Sequence, residues 1–174
     1  NNQIVLLRLD LNVPILDGEI IDTNRIDKII PTINFLLSKN AKIIIISHVG
    51  RPKGKFKSEL SLQPIRDNVS SQVNENVRLE KANIFNLKKN ELFKSADEKL
   101  MILENIRFYP EEENNNEKFS EHLAKLGDIY VNDAFSCSHR EHASVTSITK
   151  FIPSYSGLQI NSEVEALKKI TTEI

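Results

Sequence analysis

Lys42-Ile43-Ile44-Ile45-Ile46-Ser47-His48-Val49-Gly50-Arg51-Pro52-Lys53-Gly54 is the stretch that decides the fold. Its opening residues form a near-continuous apolar run without polar alternation. Such a run suits a strand buried on both faces of a parallel sheet. The strand ends in a histidine, an arginine and a lysine set among glycines and a proline. Cationic groups therefore arrive at the carboxyl edge of the sheet, outside which open α/β sheets bind their ligands. Glycine lets backbone approach a ligand closely, and proline fixes the loop. The first expectation is a site for a small anion, a phosphate ester above all.

Working outward, Ile4–Asp10, Leu100–Leu103 and Ile129–Val131 read as further strands, with a short one at Val77–Leu79. Asp17-Gly18 marks a tight turn between Ile15-Leu16 and Glu19-Ile20-Ile21. Asp22 or Thr23 caps a helix reaching about Ser38, which Pro31 is expected to kink or split. Pro64 suits the first turn of a helix ending near Val73. Phe119–Leu126 reads as an amphipathic helix, Ala143–Ile148 as a short one and Asn161–Thr172 as a last one. The acidic, Asn-rich stretch Glu111–Glu117 reads as a solvated loop, and residues 82–98 carry no clear pattern. Strands alternating with helices predict a parallel sheet covered by helices on both faces.

The chain has 174 residues, enough for one domain with a substantial core. A net charge of −1 argues against bulk nucleic-acid binding, so an anion site must come from local clustering. The single cysteine, Cys137, cannot form an internal disulfide, which fits a reducing, cytoplasmic setting. No apolar stretch is long enough to span a membrane. A chain that opens at Asn1 without Met, and enters a strand almost at once, is expected to be shortened at its amino end.

The candidate site rests on position. Asp10 and Asn12 follow the first strand, His48 and Arg51 the second major one, Arg107 the Leu100–Leu103 strand and Arg140 the Ile129–Val131 strand. In a parallel sheet those ends share one edge, to which Arg25 can return from the start of the first helix. Arginine matches phosphate and carboxylate because its planar fork donates two parallel hydrogen bonds. Asp10 would repel a phosphate and suits a ligand hydroxyl instead. The implied ligand carries a phosphate, a hydroxyl and a carboxylate.

Other features carry less. Lys53, Lys55 and Lys57 read as a solvated loop. His139-x-x-His142 lacks further Cys or His ligands and reads as structural, so no metal site is expected. Cys137 has no evident base and is not assigned as a nucleophile. Gly50–Lys55 falls one residue short of a P-loop, with Phe56 where Ser or Thr should hold magnesium, and no G-x-G-x-x-G follows any strand.

Taken together the motifs resemble the phosphoglycerate kinase family. Arg8-Leu9-Asp10-Leu11-Asn12-Val13-Pro14, Asp22-Thr23-Asn24-Arg25-Ile26, Ser47–Gly54, Leu103–Phe108, Val131–Phe135 and His139–Ser144 match its blocks collinearly over nearly the whole chain. Val49 replaces a leucine of the family pattern, and Ser136-Cys137-Ser138 stands where a Gly-Thr-Ala-like stretch is usual. The resemblance implies a Rossmann-like three-layer α/β/α sandwich with a mainly parallel sheet. It implies transfer of a phosphoryl group between 1,3-bisphosphoglycerate and ADP, giving 3-phosphoglycerate and ATP. Carried over by position, Asp10, Asn12 and Arg25 contact the glycerate end, and His48, Arg51, Arg107 and Arg140 hold the non-transferred phosphate. Arg25 is the catalytic residue, stabilising charge on the phosphoryl group in flight.

The family's glycine-rich nucleotide loops do not occur here, so Mg-ATP or Mg-ADP is expected to bind a carboxy-terminal domain of the parent rather than this chain. Residues 1–158 are expected to be the amino-terminal phosphoglycerate-binding domain. Residues 159–174 would begin the helical connection toward the nucleotide-binding domain. A monomer without nucleic-acid or membrane partners is expected, inactive as an isolated fragment. The rival readings are a non-catalytic phosphometabolite-binding module, separated by whether the gene continues past Ile174, and a nucleic-acid binder using Arg51–Lys57. The lone Phe56 in that loop offers no stacking platform for nucleic acid.

Overall fold

The computed structural model describes residues 3–172. Strands β1 (Ile4–Leu9), β4 (Lys42–Ile46), β5 (Val77–Glu80), β6 (Leu100–Leu103), β7 (Ile129–Asp133) and β8 (Ser154–Ser156) form a six-stranded sheet in the order β5-β6-β4-β1-β7-β8. All its pairings are parallel. A small hairpin, β2 (Ile15–Leu16) with β3 (Glu19–Ile20), stands apart. Its turn residues Asp17 and Gly18 both have positive φ, as a two-residue hairpin requires. Helices α1 (Asn24–Ser38), α2 (Gln63–Val73), α3 (Pro110–Glu113), α4 (Glu117–Ala124) and α5 (Leu158–Thr172) complete the framework.

Alternation along the strands builds two cores. Val5, Leu7, Leu9, Ile43 and Ile45 face Ile26, Ile29 and Ile33 of α1 and Ile65 and Val69 of α2. Leu6, Ile44, Ile46, Met101 and Leu103 face the opposite layer, with Phe119 and Leu123 of α4 and Ile84, Ile148 and Ile152 from short turns. Each buried Leu or Ile contributes about 1.5–3 kcal/mol. The central strands need both layers, which is why they read as mainly apolar runs.

Several expectations are corrected. Pro31 does not split α1, which is continuous from Asn24 to Ser38 through it. Pro31 is exposed, while Ile26, Ile29 and Ile33 pin both halves of the helix to the sheet. The packing outweighs the one hydrogen bond proline removes. Glu111–Glu117 is not a solvated loop: it contains α3 and the start of α4, and Glu112 is fully buried. Ala143–Ile148 is not an α-helix: turns run over 143–146 and lead into a 3₁₀ turn at Ser147–Lys150. The last helix starts earlier, at Leu158, and β8 was not foreseen. Residues 82–98 hold two single-turn 3₁₀ helices, Ile84–Asn86 and Lys89–Glu91.

Asp133, at the end of β7, knits these layers together. Its carboxylate, 1% exposed, accepts hydrogen bonds from Thr32 Oγ1 of α1 and from the Ile160 amide of α5, the latter at 3.0 Å. Gly157 lies so close that a Cβ there would fall 2.3 Å from Asp133 Cγ.

Candidate functional site

The loops following β1, β4, β6 and β7 all leave from the carboxyl edge of the sheet. Ser47 ties the first two together, its Oγ accepting from the Leu11 amide at 3.1 Å and donating to the Leu9 carbonyl at 2.8 Å. Asn12 Oδ1 accepts from the Gly50 amide at 2.9 Å. Asn105 joins the β6 loop to the β4 loop, with Nδ2 donating to the carbonyls of Val49 (2.8 Å) and Leu60 (2.9 Å). Gly50 needs its missing side chain: φ is +64°, and a Cβ would sit 2.8 Å from Leu60 Cδ2.

On one side of this rim, the Asp10 carboxylate accepts from Arg25 Nη1 and from Ser136 Oγ. They line a cleft of about 230 Å³ together with Lys28, Asp133 and Glu163. The Arg25 side chain is 50% exposed, so the pair with Asp10 is a surface ion pair worth at most about 1 kcal/mol. Arg25 is therefore free to exchange partners. A roomier cleft of about 510 Å³ beside β5 holds Arg78, but Glu80 and Glu98 already neutralise that arginine.

On the other side stands a cationic cluster. Arg107 is 2% exposed; its Nη1 donates to the Gly50 carbonyl at 3.0 Å, while Nε and Nη2 are buried without a hydrogen-bond partner among the described residues. Glu113 approaches Arg107 Nε only to 3.8 Å. Burial pulls the Arg107 pKa below the ordinary arginine value; Glu113 opposes this and the neighbouring charges of Arg140 and Arg8 reinforce it. Arg140 Nε is likewise buried and unpartnered. Arg51 is exposed, and its loop is anchored at the same rim through Gly50. The structure thus pairs Asp10 with Arg25, joins Asn12 to the Arg51 loop, and gathers His48, Arg107 and Arg140 as electrostatic neighbours. The side chain of Arg51 is not locked to the others.

His48 is 3% exposed, and burial first, then Arg8, Arg107 and Arg140, lower its pKa from 6.5 to about 2. His142 is shifted down as well, by burial first and then by Arg107. The unfolded chain therefore takes up protons below about pH 6.5 that the folded rings refuse, and stability is lost as pH falls. The slope from His48 alone approaches about 1.4 kcal/mol per pH unit. Urea unfolding at about pH 7.5 and about pH 5.5 measures it, and His48→Gln should remove most of that slope. Equal pH dependence in both proteins would refute the assignment.

Two residues at this site escape sequence reasoning. Arg8 is completely buried inside β1, its Nη2 donating to His48 Nδ1 at 3.1 Å. A charge within an apolar strand was the available signal. Glu112 is buried beneath the Arg140 loop, and its acidic surroundings in sequence gave no such signal.

A model of the phosphoglycerate kinase family matches residues 1–174. A phosphoglycerate kinase from Wolbachia pipientis wMel is 48% identical over 170 residues, covering 97% of this chain and 42% of that protein. One from Finegoldia magna is 42% identical over 170 residues, with 97% and 43% covered. The solved phosphoglycerate kinase of Coxiella burnetii superposes with a TM-score of 0.86 at 34% identity, covering 97% of this chain and 42% of that one. That of Pyrococcus horikoshii OT3 gives 0.85 at 30% identity, with 97% and 43% covered. The chain thus spans less than half the length of these relatives. With the family match running from end to end and the parallel α/β sheet shared with solved members, this chain belongs to the phosphoglycerate kinase family.

Proposed function

We propose that this chain binds 3-phosphoglycerate or 1,3-bisphosphoglycerate, and that the full protein transfers a phosphoryl group between 1,3-bisphosphoglycerate and ADP, giving 3-phosphoglycerate and ATP. One observation carries the reading: buried guanidinium donors of Arg107 and Arg140 lack hydrogen-bond partners among the described residues, beside neutral His48. Buried donors without acceptors call for an explanation, and an anion supplies it.

In this reading His48, Arg51, Arg107 and Arg140 hold the phosphate that stays on the glycerate. Asp10 and Asn12 take the hydroxyl and carboxylate end. Arg25 leaves Asp10 to meet the charge that develops on the moving phosphoryl group. Such transfers depend on positioning and electrostatic stabilisation rather than on covalent help from the protein. Magnesium-bound ATP or ADP is the second substrate, held by a nucleotide-binding domain beyond this chain. Residues 1–158 form the phosphoglycerate-binding domain, and 159–174 begin the connection to the other. A cytoplasmic, monomeric parent accompanies this assignment; no described helix is long and apolar enough to cross a membrane.

Titration calorimetry on this chain is the test. Saturable heat is expected with 3-phosphoglycerate and none with ATP. Binding of ATP without binding of 3-phosphoglycerate would reverse the assignment.

A further inference from the structure

Glu112 belongs to none of the groups just given a ligand, yet it is 0% exposed. Its Oε2 accepts from the Ser144 amide at 2.8 Å, and its Oε1 accepts from Ser144 Oγ at 2.6 Å. Its backbone carbonyl accepts from the Ala143 amide at 2.9 Å. Glu112 thus clamps the segment that follows Arg140. Tyr130 adds a second fastening, its hydroxyl donating to the Ser144 carbonyl at 2.7 Å.

The direction of these bonds matters. Ser144 has one hydroxyl proton, and it is committed to Glu112. The oxygen lone pair is then left to accept from Arg8 Nε at 3.0 Å. Arg8 Nη1 donates to the carbonyls of Leu9 and Ile46. With Nε and Nη1 engaged, the planar guanidinium has one orientation, which aims Nη2 at His48 Nδ1, 3.1 Å away. A guanidinium can only donate, so Nδ1 must be the acceptor. The neutral ring then carries its proton on Nε2.

We propose that Glu112 is a positioning residue of the anion site: through Ser144 and Arg8 it holds His48 as a ring that accepts at Nδ1 and donates from Nε2–H. Its consequence for ligand binding rests on the function proposed above; the state of the ring rests on the chain's own contacts. Burial holds the Glu112 carboxyl above the ordinary carboxylate range, with Arg8 and the two Ser144 donors offsetting only part of the rise. Glutamine at this position cannot reproduce the arrangement. In one amide orientation its NH₂ meets the Ser144 N–H. In the other it donates to Ser144 Oγ and turns the hydroxyl proton against Arg8.

Two measurements decide. The first needs no ligand: ¹⁵N resonances of the His48 ring at neutral pH. Wild type is expected to show protonated Nε2 and unprotonated Nδ1, and Glu112→Gln is expected to shift both resonances. A wild-type ring protonated on Nδ1, or resonances unmoved in Glu112→Gln, would overturn the proposal. The second is a double-mutant cycle read by 3-phosphoglycerate affinity. Glu112→Gln and His48→Gln are each expected to weaken binding about tenfold. The double variant should stay within about twofold of the weaker single one, because both changes disable the same donor. A loss near a hundredfold in the double variant would mean independent roles and would also overturn it. If Glu112→Gln does not fold, Ser144→Ala cuts the same chain while keeping the Ser144 amide bond to Glu112, and the same outcomes apply. Failure of wild type to bind 3-phosphoglycerate would count against the proposed function alone, since the ring resonances still decide the state of His48.

Discussion

Replacing Arg25 with alanine in the full-length enzyme is expected to cut kcat by about 10³-fold while changing 3-phosphoglycerate affinity by less than about tenfold. The separation follows from what Arg25 touches. Its guanidinium is half exposed and held by Asp10 and not by the enclosed cluster around Arg107. Under the proposed function it exchanges one carboxylate for another in the ground state, a small net change. In the transition state of that proposed reaction it would meet charge that the ground state lacks, and only such interactions raise kcat. Arg51→Ala should show the opposite pattern, with KM for phosphoglycerate raised about tenfold and kcat within about twofold, since the proposed function sets Arg51 against a phosphate that does not react. Steady-state kinetics on both variants checks this. Similar kcat losses in the two would dissolve the division of labour.

Arg8→Met is expected to destabilise the chain by about 3–5 kcal/mol, read from urea unfolding. Arg8 is 0% exposed and serves Ser144, His48 and two backbone carbonyls. Methionine fills much of the volume but strands those acceptors and leaves Glu112 buried without its cationic neighbour. Removing one member of a buried charged set costs far more than removing the set. The Arg8→Met, Glu112→Gln double variant should therefore recover part of the loss. A double variant less stable than the sum of the singles would show that Glu112 does not depend on Arg8.

The sheet was readable because its central strands are buried on both faces. Leu6 and Leu7 both lie at 0% exposure, and the run is apolar apart from Arg8, whose charge is bonded inside the fold. The edge strand β8, Ser-Tyr-Ser and exposed throughout, has no such signature; it exists because the neighbouring β7 offers a free edge. Pro31 does not break α1 in two because packing of the opposite helix face outweighs its intrinsic propensity. The site was readable in position, since arginines at strand ends share an edge whatever the loops do. Its supporting layer was not. Glu112 meets Ser144 across 32 residues of sequence, and Arg8 meets it across 136. Pairs so distant leave no local pattern, and an acidic run looks the same whether one of its members is solvated or enclosed.

The Asp133 clamp has a mechanical meaning. α5 has 15 residues and is about 22 Å long. It is fastened near its first turn to the carboxylate that also grips Thr32, two turns along from Arg25 in α1. Gly157 leaves no slack at that joint. α5 is therefore a lever with its fulcrum at the sheet, and a tilt of about 5° would sweep its far end through about 2 Å. The reaction force arrives on the helix that carries Arg25, so a load on the far end of α5 is felt at the Asp10–Arg25 pair.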